Sequence, residues 1–115
     1  MKFITFVSTT NPAQAGAPPQ ALMDAIVKLG MEAGARMLET GGMSDSAVVR
    51  VRSNHLVTDG PFAESKELIG GYAIYDLPSE AEMIAWTERF ANLHREHWPV
   101  WEGEITIQQL HPFHM

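Results

Sequence analysis

Short runs of apolar, β-branched and aromatic residues alternate along this chain with stretches whose apolar positions recur every three or four residues, and the change of period predicts the elements. Phe3 to Val7 is the first strand-like run, stopped by "STTNPAQAGAPP", a loop dense in Pro, Gly and Asn. From Pro19, Leu22, Ile26, Leu29, Ala33 and Met37 share one helical face, widened by Met23, Val27 and Leu38. Gly30 and Gly34 cost that helix roughly 1 kcal/mol each relative to Ala. Gly41 and Gly42 are expected to end it in the left-handed conformation. Ala47 to Arg52 and His55 to Thr58, separated by Ser53-Asn54, read as a hairpin. Leu68 to Leu77 is the strongest strand, interrupted by Gly70-Gly71, a pair that in a strand marks a bulge or a crowded approach. Ser79 followed by Glu82 has the capping-box pattern, and Met83, Trp86, Phe90 and Leu93 then line one stripe of a second helix. Pro99 ends it, and Glu104 to Leu110 is the last strand.

The order β, α, β-hairpin, β, α, β predicts an α+β fold: a ferredoxin-like antiparallel sheet with two helices on one face and an extra strand or two. With 115 residues, 45% of them hydrophobic, the chain reads as one domain over 1–115. The Leu68–Leu77 strand puts Ile69, Ala73, Tyr75 and Leu77 on one face and Tyr72 and Ile74 on the other, so neither face suits water. Two helices cover one side only. The other side is expected to meet the same sheet in a second copy, giving a homodimer.

Charge and composition narrow the partners. Fourteen acidic against eight basic residues leave a net charge of −6 with no basic cluster, which argues against nucleic acid. The absence of cysteine removes disulfides, thiol catalysis and cysteine-based zinc sites, and fits a cytoplasmic location. "MKFITFV" is far shorter than the roughly 18 apolar residues of a membrane span, so it reads as a strand and no membrane association is expected. No cofactor is expected either.

The stretch "VTDGPFAESKELIGGYAIYDL", together with the opening "MKFITFV", the helix start "SEAEM" and the closing "HREHWPVWEGEITIQQL", resembles the YCII-related family. The resemblance is to its branch named for the Asp-Gly-Pro-Phe motif, here Asp59-Gly60-Pro61-Phe62. It implies a ferredoxin-like α+β fold that dimerises sheet to sheet into an α/β-barrel arrangement. It further implies chemistry by an Asp paired with a His. The motif Asp is Asp59; residues 1–54 contain no histidine, and the candidates for an assisting imidazole are His97 and His94.

Each candidate has a plainer reading beside the chemical one. Asp59 is either a turn carboxylate bonded within its own loop or a proton-transfer group facing the cleft between sheets. Phe62, Gly71 and Tyr72 either line an apolar substrate pocket there or pack the core. Lys66, with Glu64 and Glu67, is either solvated or holds a substrate oxygen. Arg50 and Arg52 share one hairpin face, serving an anionic ligand or protecting a strand edge. His94/His97 and His111/His114 have a spacing that zinc accepts, but helix ends and tails collect such residues, and no metal site is assigned. Trp86 belongs to the core, while Trp98 and Trp101 are expected at a subunit contact.

Two functions follow. One is an enzyme doing lyase- or hydrolase-type acid–base chemistry on a small molecule through Asp59. The other is a non-catalytic dimeric module that binds a small ligand or a regulatory partner.

Overall fold

The computed structural model describes residues 1–62 and 70–114. Strand β1 (Lys2–Thr9) leads through a short helix α1 (Pro12–Ala15) into α2 (Gln20–Ala33) and a 3-10 turn (Gly34–Arg36). Strands β2 (Met37–Met43), β3 (Val48–Arg52), β4 (His55–Asp59) and β5 (Gly70–Asp76) follow, then α3 (Glu80–His97) and β6 (Gly103–Leu110). The described strands form an antiparallel sheet in the order β2-β5-β1-β6 and a separate β3-β4 ribbon. This α+β arrangement, with three helices among the described residues, is compatible with a ferredoxin-like sandwich.

Alternation along β1 and β5 decides which side chains meet the helices. Phe3 pairs with Tyr75 and Thr5 with Ala73 on the inner face, where Ala33 of α2 and Met83 of α3 complete a core with Phe3, Tyr75 and Leu77. Ile4 pairs with Ile74 and Phe6 with Tyr72 on the outer face. Arg89 of α3 ties the two long helices together, since its guanidinium bonds Glu32 of α2 and lies over the Trp86 ring at 4.7 Å. The same hydrogen bond holds the Glu32 carboxyl below its ordinary range.

The second element departs from the periodicity reading. Helix α2 stops at Gly34, whose φ of 57° is the left-handed geometry that glycine adopts without cost and whose N–H donates to the Gly30 carbonyl. Met37 and Leu38 therefore belong to a strand, not to the helical face, and Gly41 and Gly42 lie inside β2. Strand β2 tolerates them because the Tyr72 ring lies across Gly41, where an added Cβ would sit 3.0 Å from its Cε1. Val27 is 61% exposed and does not widen the buried face.

The hairpin forms where the pattern placed it, turned by Ser53 and Asn54 at φ 47° and 65°. Every residue of β3 and β4 is exposed, so the ribbon is an arm rather than part of the core. Its projection shows in a radius of gyration of 16.6 Å, against roughly 13 Å for a compact chain of this length. At α3 the Ser79 hydroxyl accepts the Glu82 N–H at 3.2 Å, which satisfies one orphan donor of the first turn.

Candidate functional site

Between α2, α3 and the inner sheet face lies a cavity of about 370 Å³. Helix α2 contributes Met23, Ile26 and Leu29, and α3 contributes Met83, Trp86 and Phe90. The floor includes Val7, Met37, Ala73 and Ile105, so every strand of the sheet contributes to it. Gly41, Gly42, Gly70 and Gly71 border it where β2 and β5 run side by side. Such a wall favours an apolar guest, because every wall atom that water would otherwise wet gains a dispersion partner.

Polar groups on the wall are few. Thr5 is buried, while Thr40 and Thr87 hold their hydroxyls against backbone carbonyls, those of Tyr72 (2.9 Å) and Met83 (2.8 Å). Tyr75 is the ionisable side chain of the inner face among the described lining residues; Tyr72 also borders the cavity, but strand alternation turns its ring to the outer face. The Tyr72 hydroxyl bonds the Glu39 carboxylate, which raises its pKa, and burial raises that of Tyr75. Both phenols stay protonated at neutral pH. The cavity can therefore hold and orient a molecule, but none of these groups would exchange a proton with it readily near pH 7.

The Asp-Gly-Pro-Phe motif builds the root of the arm. Asp59, the last residue of β4, forms an ion pair with Arg50 across the ribbon, and its side chain is about half exposed. Gly60 has φ 119° and lies so close to Ala47 that a Cβ would come within 2.7 Å of that residue's Cβ. The Phe62 N–H then donates to the Ser46 carbonyl at 2.7 Å, closing the turn. The Phe62 side chain is 46% exposed at this root and is not part of the cavity wall. Arg52 and His55 pair at the far end of the arm from Asp59.

The histidines of α3 are placed elsewhere. His94 is buried, its Nδ1 is 3.0 Å from the Phe90 carbonyl, and its ring packs against Phe90, Trp98 and Trp101. Burial pushes its pKa below 6.5. The indoles that enclose it fasten the start of the chain: Trp98 donates to the Ala15 carbonyl at 3.1 Å and Trp101 to the Thr9 hydroxyl at 2.9 Å. Asn11 adds two bonds, to the Val100 carbonyl and from the Glu102 N–H. Within the chain Trp98 and Trp101 thus make a clasp. His97 is partly exposed, its Nε2 3.9 Å from Glu96.

The expected site residues are therefore dispersed. Asp59 bonds Arg50, and no hydrogen bond or ion pair among the described residues joins it to His94 or His97. Gly71 and Tyr72 border the cavity, the Tyr72 ring on the outer sheet face; Phe62 does not border it, and Lys66 falls outside the described residues. No group of three potential metal ligands occurs among the described residues, and no helix of the described chain is long and apolar enough to cross a membrane. Thr5 and Thr87 escaped the sequence reading, although each left a trace: a polar residue between Phe3 and Val7 on an inward face, and one beside the Met83–Trp86–Phe90 stripe.

The family model for the YCII-related domain matches residues 3–102, from β1 to the residue before β6. No curated protein matches the chain.

Proposed function

The chain belongs to the YCII-related domain family, and from that premise we propose that it acts as a homodimer binding a small, mainly apolar molecule between its helices and its sheet. The observation that carries this reading is the cavity of about 370 Å³, apolar over most of its wall. Its volume is within the range of small-molecule sites. Ile4, Phe6, Tyr72 and Ile74, on the sheet face opposite the helices, support pairing with a second copy. The Asp59–Phe62 turn supports placing the chain in the Asp-Gly-Pro-Phe branch of the family. A cytoplasmic location agrees with the absence of cysteine.

The test is a screen of small neutral compounds against the wild type and Ala73→Leu, which extends a floor residue into the cavity. Binding by the wild type that is lost in a folded Ala73→Leu variant supports the reading. Equal binding by both places the ligand elsewhere.

A second reading is acid–base chemistry through Asp59, assisted by His94 or His97. It is favoured by the motif turn, in which Gly60 packed on Ala47 holds the carboxylate at one place at the arm root. An imidazole, and a roof over the half-exposed carboxylate, would have to come from the partner copy in an inter-sheet pocket. Turnover that survives Asp59→Asn unchanged excludes this reading.

A further inference from the structure

Resting on the cavity reading, we infer that the ligand is neutral and largely aliphatic, and that its polar group is a hydrogen-bond donor such as an alcohol hydroxyl. The direction of the bonds already made inside the wall carries this step. A threonine hydroxyl has one proton and two lone pairs. Thr40 spends its proton on the Tyr72 carbonyl and Thr87 on the Met83 carbonyl. What Thr40 and Thr87 offer a guest is lone pairs, so at these two hydroxyls a ligand that brings a proton gains a bond, and one that brings only acceptors does not. Thr5 and Tyr75 do not reverse this preference, because a hydroxyl free to rotate can serve a donor or an acceptor equally.

The same wall sets the ligand's charge. No Asp, Glu, Lys, Arg or His is among the described lining residues. A carboxylate or ammonium entering there would shed its water without gaining a counter-ion, a cost larger than the apolar contact returns. Shape follows from the side chains. Met23, Met37 and Met83 are unbranched and adjust to a flexible chain. Trp86, the largest ring of the wall, is already stacked on Tyr75 with centroids 6.4 Å apart and lies under the guanidinium groups of Arg36 and Arg89. It has less free face to offer a planar ring than the methionines offer a chain.

Four probes of matched length separate these claims: 1-octanol, heptyl methyl ether, octanoate and octylammonium, titrated calorimetrically at pH 7 into the intact chain. The alcohol should bind roughly three- to tenfold more tightly than the ether, as one neutral hydrogen bond dictates. Thr40→Val and Thr87→Val should each shrink that ratio and leave the ether's affinity unchanged. Octanoate and octylammonium should bind more weakly than either. Equal affinity for alcohol and ether overturns the donor inference while the cavity reading stands, and so does an octanol preference untouched by both valine variants. An ion that binds as tightly as the alcohol overturns the neutral-ligand claim. Failure of all four probes to bind overturns this inference and the cavity reading together.

Discussion

The imidazole of His94 and the indole of Trp101 lie with their ring centroids 4.4 Å apart, so the end of α3 and the entry to β6 are joined through a buried titratable group. Burial favours the neutral ring, and the folded chain therefore binds the His94 proton less readily than the unfolded chain does. The contribution of this group is complete above pH 6.5 and is lost progressively as pH falls from there toward the lowered folded-state value. Urea midpoints measured across that window should decline in the wild type and decline less in His94→Phe. Parallel curves for the two proteins would show that the clasp does not sense pH.

Removing the Asp59 charge should hardly change stability. Its ion pair with Arg50 is half exposed on both sides, and such pairs contribute about 0–1 kcal/mol. Asp59→Asn should therefore unfold within about 1 kcal/mol of the wild type, which makes it a clean variant for testing chemistry. A loss well above that would mean that the carboxylate has a buried role beyond the pair.

Gly60 is far less tolerant than its place on an exposed arm suggests. A side chain there meets both a left-handed backbone and the Ala47 methyl, each costing on the order of 1–3 kcal/mol. In Gly60→Ala the Phe62 amide, bonded to Ser46 in the wild type, should exchange its hydrogen at least tenfold faster. Unchanged protection would show that the arm root absorbs the strain.

Much of the fold could be read from the chain because the responsible forces are local. The Ser79–Glu82 cap, the Ser53-Asn54 turn and the alternation of Phe3, Ile4 and Phe6 each act within a few residues. Strand β2 could not be read that way. Two adjacent glycines argue against a strand until a ring from β5 covers one of them, and Tyr72 lies 31 positions from Gly41. The candidate site was less legible for the same reason. Its wall draws scattered residues from both long helices and four strands, and no short motif records that assembly. The motif that did stand out, Asp59 to Phe62, builds a turn at the root of the arm.

Dimerisation has its own test on the outer sheet face. Phe6 projects there beside Tyr72, so Phe6→Lys places a charge at the centre of the proposed contact without entering the core. Sedimentation should show a dimer for the wild type and a folded monomer for the variant. An unaltered dimer would move the contact to another surface.

The cavity itself can be examined without knowing its natural guest. Xenon enters dry apolar cavities and is visible in a crystal pressurised with the gas. The expected result is xenon density enclosed by Met23, Ile26, Met83, Trp86 and Ala73. Density absent from that space, with α2 settled onto the sheet and its side chains filling the volume, would contradict the proposal that this chain keeps a binding site between its helices and its sheet.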